Sequence, residues 1–386
     1  MKKNFRRCDK VLLIMMILYS LLGLLMIFSS SSVFSVLREH RSPYAYFFRQ
    51  VIFVSVSYIV GLFLIMHIPV YKYDKYINSS IVIMIILLIG LIVKGTIVNG
   101  SKSWYDLGLF KFQPSEFCKT LYILYIANFY YRYQKSNKEK SKYYFIRPLI
   151  VCVLFTLPIL LQPDLGTAVI LCGICVMVMI FVPLDKENRK KVYRLFGVGL
   201  LAVILLFTFG KEKFLTDRQI SRLTYKEACK RYTERTGYQV CNSLIAVNNG
   251  GLFGAGLGNS TQKYMYLPAA HTDFAFAIVI EELGALISSL ILIGYILILY
   301  RIYKIAKASE NLKNSIIAFG TFSYMILHIF INLFGILGLI PLTGVPLPFV
   351  SYGGSFNVNL LVLLFLVERV AIENNNIKLK REIENI

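Results

Sequence analysis

PLIVCVLFTLPILLQPDLGTAVILCGICVMVMIFVP, residues 148–183, is the stretch on which the fold turns. Nearly all of it is apolar, so it forms either one long helix or two membrane spans folded back at Gln162-Pro163-Asp164-Leu165-Gly166. The flanking segments decide between them. Residues 132–147 carry six Lys/Arg and residues 184–194 carry five, and short basic loops are retained on the cytoplasmic side of a membrane. A single span would put the two segments on opposite sides, whereas a hairpin puts both in the cytoplasm. Pro163 and Gly166 also break a helix where the turn is needed. The stretch therefore reads as two spans, 148–163 and 166–183, with an outward turn at Asp164.

The same reading extends in both directions. Apolar runs long enough to cross a bilayer recur at 11–35, 46–69, 77–96, 114–131, 195–210, 273–300, 315–337 and 355–372. Of 386 residues, 56% are hydrophobic and 16% charged, well below the roughly 25% charged of a soluble domain. The net charge of +21 lies where topology would put it. Segments 1–10, 70–76, 132–147, 184–194, 301–313 and 369–386 hold twenty-six Lys/Arg, while the opposite short loops 37–45, 97–113, 164–165 and 338–354 hold only Arg38, Arg41, Lys102 and Lys111. That distribution argues against a nucleic-acid surface and places both termini in the cytoplasm.

The expected fold is all-α: one polytopic membrane domain, 1–386, with about ten transmembrane helices. Residues 1–10 and 373–386 are its cytoplasmic tails, and 211–272 is one large extracytoplasmic loop. That loop carries nine Lys/Arg, a charge suited to lipid headgroups or to a phosphate-bearing substrate. Lys2, Lys3, Arg6, Arg7 and Lys10 precede the first run with no small-residue cleavage site, as an uncleaved first helix would have it. The seven Cys are scattered and suggest no disulfide framework. Cys172 and Cys175 form a C-x-x-C within a span, which reads as packing rather than redox or metal chemistry. Cys229 and Cys241 share the large loop and could pair, but free thiols are the expectation.

Ionisable groups at membrane depth are costly and need a partner or a task. Gln113-Pro114-Ser115-Glu116 opens the fourth span, with Pro114 and Glu116 suited to a first turn; Lys119 follows Glu116 at i+3. Asp164 is placed to meet Lys119 in a salt bridge between helices, with the wall of a substrate cavity as the second reading. His271-Thr272-Asp273-Phe274 opens the eighth span, and Glu281-Glu282 follow. Asp273 is either a helix cap or a general base at the membrane surface, and His271 reads as a hydrogen-bond partner. Gly250 to Gly258 lacks the strand and helix context of a dinucleotide site, though tight turns there would let backbone N–H groups face a phosphate. Pro341 to Ser355 is too rich in Pro and Gly for helix, and such irregular backbone near membrane depth lines a cavity or is buried in protein.

At these same places the chain resembles the shape, elongation, division and sporulation (SEDS) family, whose members include FtsW, RodA and SpoVE. The likeness rests on Gln113 to Glu116 with Lys119, on Gln162 to Ala168, and on Tyr238-Gln239 through the Gly-rich run. It rests also on His271 to Phe274 with Glu281 to Gly284, and on Pro341 to Ser355. The run from Gly251 to Ser260, with Gln262-Lys263 and Leu267-Pro268, is more similar to the division and sporulation branch (FtsW, SpoVE) than to the elongation branch. Departures are Ala269, where the family usually has Glu, Lys102 and Ser103, where it has two Arg, and His328, where it has Gln.

The resemblance implies an inverting peptidoglycan glycosyltransferase that polymerises lipid II, an undecaprenyl-pyrophosphate disaccharide-peptide, outside the bacterial cell membrane for septal or spore wall. Asp273 would be the catalytic base, and Lys119, Glu116, Asp164, Arg222, Gln239, Ser351 and Ser355 would bind substrate. Arg222, Lys119 or a divalent cation (Mg or Mn) would offset the leaving pyrophosphate's charge, with no organic cofactor and no metal ligands identified. The implied partners are lipid II, a class B penicillin-binding protein that crosslinks the strands, and other division or sporulation membrane proteins, but no nucleic acid. A flippase for lipid-linked precursor and a non-catalytic scaffold for a partner synthase are the alternative readings.

Overall fold

Each predicted span coincides with a helix in the computed structural model, which describes residues 2–98, 100–108, 110–135, 144, 146–209 and 226–384. The helices are α1 (Lys10–Leu37), α2 (Ala45–Val60, continued by a π turn over Gly61–Ile65), α3 (Asp74–Lys94), α4 (Pro114–Lys135), α5 (Ile146–Leu161), α6 (Leu165–Phe181), α7 (Lys186–Phe209), α8 (Arg235–Gly250), α9 (Ala275–Ala308), α10 (Leu312–Ile336) and α11 (Gly354–Glu384). Among the described residues six segments are long and apolar enough to cross a membrane, built on α1, α2, α3, α9, α10 and α11, while α5 and α6 are shorter apolar helices. The chain is thus a multi-pass helical membrane protein.

Local chemistry sets the helix ends. Asp9 caps α1 by accepting from Leu12 N (3.0 Å), Asp164 caps α6 from Thr167 N (3.2 Å), and Asn311 caps α10 from Lys313 N (3.0 Å). The centre of the bundle is α11 and α10, whose apolar windows are 89% and 67% buried against 22% for α2 and α3. The peripheral helices therefore turn most of their apolar surface outward, as lipid-facing helices do. At the basic end, Arg301 Nε meets Asp9 Oδ2 at 3.1 Å, Asp9 N donates to Glu368 (2.8 Å), Lys313 pairs with Asp74, and Val70 N donates to Glu373 (2.9 Å). These contacts gather the ends of α1, α3, α9 and α10 around α11.

Two expectations need amendment. The all-α reading missed a three-stranded antiparallel sheet, β1 (Thr96–Val98), β2 (Ser101–Asp106) and β3 (Lys111–Phe112), in the loop after α3. Lys102 N and Ser101 Oγ both donate to Gln162 O, and Lys102 Nζ reaches Ile92 O (2.7 Å) and Val93 O (3.0 Å), so the sheet straps the ends of α3 and α5 together. Cys229 and Cys241, expected free, are disulfide-bonded. A 3-10 turn, Ala228–Arg231, folds back on α8 and brings the two sulfurs together, which a spacing of twelve residues does not disclose.

Candidate active site

Asp273 sits where the turn before α9 and the Pro-rich loop meet helix α10. It closes the turn that leads into α9, half-buried, with Phe274 rather than Asp273 in the N-cap position and no side-chain cap bond there. Asn332 of α10 clamps the site by donating from Nδ2 to Asp273 O and to Val345 O, both at 2.8 Å. A narrow cleft beside Asp273, with room for about one water molecule, is lined by Asn332, Ile336, Leu342, Thr343, Gly344 and Val345 among others. Gly344 adopts φ +73°, and a Cβ there would lie 3.3 Å from Asp273 Oδ2. The missing side chain is what lets the Pro-rich loop come this close to the carboxylate. Tyr352 N donates to His271 O (2.9 Å), tying the far end of that loop to the same turn.

His271 is not in the cleft. Its ring is packed among Phe34, Tyr46 and Tyr352, and burial pushes its pKa down to about 4, with a smaller upward pull from Glu39. It is a neutral structural residue near neutral pH.

Behind the cleft runs a buried polar chain. Lys119 Nζ donates to Glu116 Oε1 at 2.8 Å, with both side chains almost wholly buried. His328 Nδ1 lies 3.1 Å from Pro346 O, and its Nε2 lies 3.4 Å from Lys119 Nζ. A ring that donates from Nδ1 to the carbonyl leaves Nε2 to accept from the ammonium. The ion pair on α4 is thereby linked through α10 to the loop that carries Gly344. Beside Lys119 on α4, Thr120 donates separately to Asn359 of α11 (2.6 Å).

Lys119 and Asp164, expected to pair, do not. Asp164 is engaged by Thr167 Oγ1 (3.0 Å) and by Gln113 Nε2 (3.1 Å). Ser355 Oγ accepts from Gln113 N (3.0 Å), so Gln113, Asp164 and Ser355 form a second group at the start of α4. Ser351 is buried and accepts from Leu347 N (2.9 Å), a bond internal to the Pro-rich loop. Gln239 is half-buried in the second turn of α8. Arg222 lies outside the described residues. Three N–H groups of the Gly-rich run are taken up within the fold. Gly254 N, Ala255 N and Gly256 N donate to Gly250 O, Glu281 O and Glu282 O.

Sequence reasoning missed Asn332 and gave His328 no role. Both are polar residues inside an apolar run, and that was the available signal. Among the described residues no three His, Cys, Asp or Glu side chains converge as metal ligands.

A helical membrane bundle with one carboxylate in an irregular cleft and a buried ion pair behind it defines a class of polytopic membrane protein. Within that class, the "cell cycle protein" family of FtsW, RodA and SpoVE matches residues 9–376, and the chain belongs to that family. It is similar to the "probable peptidoglycan glycosyltransferase FtsW" of Bacillus subtilis, at 33% identity over 96% of this chain and 92% of that one. It is similar also to "stage V sporulation protein E" of the same organism, at 35% identity over 90% and 92%. Among solved structures, one described as "structural coordination of polymerization and crosslinking by a peptidoglycan synthase complex" superposes with a TM-score of 0.73 at 23% identity, covering 94% of this chain and 97% of that one. The rod shape determining protein RodA of Thermus thermophilus superposes at 0.66 and 23% identity, covering 94% and 96%. These two likenesses bear on the fold.

Proposed function

We propose that the chain is a peptidoglycan glycosyltransferase of the FtsW/SpoVE branch that polymerises lipid II on the outer face of the bacterial cell membrane, in septal or spore wall synthesis. The observation that carries the site assignment is Asp273, held by its own backbone carbonyl on Asn332 and facing Gly344 beside the cleft. Asp273 takes the proton from the acceptor 4-hydroxyl as that oxygen attacks the donor's anomeric carbon. The bond to the lipid pyrophosphate breaks with inversion. A positioned general base is worth roughly 10² to 10⁴ in rate.

Lys119 is neutralised by Glu116 and lies within the bundle, so it acts by holding His328 and the Pro346 carbonyl. The leaving group's charge then falls to Arg222 and the basic residues of the large loop, or to a divalent cation (Mg or Mn). Such a cation would supply positive charge to the leaving pyrophosphate, and among the described residues no cluster of three ligands stands ready to hold it. Gln113, Asp164, Ser355 and Gln239 are read as the rim that orients sugar and peptide, with Ser351 holding the loop in shape.

The orientation follows from charge: the end rich in Lys/Arg is cytoplasmic and the Asp273 end is outside. A disulfide in the segment before α9 suits an oxidising exterior. A class B penicillin-binding protein is the proposed crosslinking partner. Purified chain should elongate lipid II into glycan, faster with that transpeptidase present, and Asp273→Asn should lose at least about 100-fold of the rate while still folding and binding lipid II. Full polymerisation by a well-folded Asp273→Asn protein refutes the mechanism, and transport of lipid II without polymerisation would mark a flippase.

A further inference from the structure

α9 is not one continuous helix. Gly284 has φ +78° and ψ 170°, and the Gly-rich run is docked into the break. Ala285 N donates to Gly251 O (2.9 Å) and Leu286 N to Leu252 O (3.2 Å), while Ala255 N and Gly256 N donate to Glu281 O and Glu282 O. These four bonds and that from Gly254 N to Gly250 O (2.7 Å) pair much of the irregular backbone internally, which favours its lying in lipid. The polar side chains face the other way. Glu282 is buried against Ser29 Oγ (2.7 Å) and Lys263 Nζ (2.8 Å), and Glu281 accepts from Thr261 Oγ1 (2.8 Å) and Ser260.

What the run leaves outside is apolar. Phe253 is 81% exposed, Leu252 66% and Leu257 53%. Leu252 is paired with Leu286, and Leu286, Leu290, Ile293 and Leu297 follow at helical spacing, all exposed, on the outward face of a membrane-spanning helix. The loop's apolar tip is continuous with a face that lipid covers.

Its depth can be read from two contacts between α1 and α9. Arg301 meets Asp9 at one end and Ser29 meets Glu282 at the other. Twenty residues of α1 separate them, about 30 Å at 1.5 Å per residue. That is the thickness of a bilayer's hydrocarbon core, about 30 Å. With the Arg301–Asp9 pair at the cytoplasmic boundary, Glu282 falls at the outer boundary of the hydrocarbon, and Leu286 with its partner Leu252 about one turn inside it. Tyr264 and Tyr266, both more than half exposed, stand where interfacial aromatics gather.

We infer that residues 251–257 are a wedge inserted into the outer leaflet, with Leu252, Phe253 and Leu257 among phospholipid acyl chains, and that this wedge moors α8 and its disulfide-bonded turn to the membrane surface. The inference stands apart from the glycosyltransferase reading. The chain has one Trp, so Trp104→Phe with Phe253→Trp gives a single reporter for vesicles containing phospholipids brominated along the acyl chain. Trp at position 253 should be quenched about twofold or more, and Trp at Tyr232, in the same Trp104→Phe background, hardly at all. A second measurement avoids any folding defect from losing Trp104: Phe253→Cys in intact cells should resist a membrane-impermeant maleimide that labels Thr233→Cys. Quenching no greater than at Tyr232, or equal labelling of the two cysteines, overturns the insertion. A Trp or Cys shielded only when a partner protein is present also overturns it, because the cover would then be that protein.

Discussion

Glu116 and Lys119 show what a sequence can and cannot give at the scale of one residue. Their i+3 spacing puts both on one face of α4, and the pair is there at 2.8 Å. The proposed bond from Lys119 to Asp164 failed because helix spacing says nothing about how two helices are rotated against each other; Asp164 had a nearer task, capping its own helix. Removing one member of a buried pair leaves an uncompensated charge, at about 3–5 kcal/mol. Lys119→Ala should therefore sharply lower folded yield by size-exclusion chromatography, and Glu116→Gln with Lys119→Met should recover most of it. A harmless single change would show that the pair is not what holds this part of the bundle. His271 offers a test in pH. Its folded pKa, about 4, lies below the unfolded value near 6.5, so between those values the unfolded chain binds a proton that the folded one does not. The stability it contributes is fully present above about 6.5 and is lost as pH falls toward 4. His271→Phe keeps a ring among Phe34, Tyr46 and Tyr352 and removes the titration. The loss of thermal stability between pH 7 and 4.5 should shrink; an unchanged loss would assign the acid sensitivity elsewhere.

At the scale of elements, long apolar runs were legible because periodicity is unnecessary when lipid surrounds a helix, and length with end charge suffices. The irregular parts were less so. The run from Pro341 to Ser355 was legible as non-helical, because so much Pro and Gly excludes helix there. The break at Gly284 was not, since one Gly inside an apolar run is tolerated by a helix. Only its docking partner explains it: a Cβ at Gly284 would overlap the backbone of Leu252 to Gly254, at a φ that L residues rarely adopt. Gly284→Ala should therefore open the pairing and lower the melting temperature by several degrees. Gly197→Ala, at a helical Gly with open space around it, should be neutral or slightly stabilising. Equal behaviour of the two would mean that the pairing across the break contributes little.

The topology belongs to the whole molecule, and the expected one turns on the hairpin of α5 and α6. If 148–183 were one span, every element after it would change sides, and Asp273 would face the compartment opposite to the start of α4. The structure gives two helices there, Ile146–Leu161 and Leu165–Phe181, with Gln162 to Asp164 between them. Gln113 at the start of α4 reaches Asp164, so that turn lies at the end of the bundle where α4 begins. Two turns at one end require the basic segments beyond α4 and α6 to lie together at the other. Lys135 closes α4 and Lys190 lies in the first turns of α7, and both are at that end. Cysteines at Lys135 and Lys190 should both escape an impermeant maleimide in intact cells and both react after permeabilisation, while one at Thr233, beyond α7, should react at once. The unsubstituted chain, with its own cysteines, sets the background. Labelling of one but not the other of the two lysine positions would split segments that the hairpin requires to be together, and would return the span count and the outward placement of Asp273 to question.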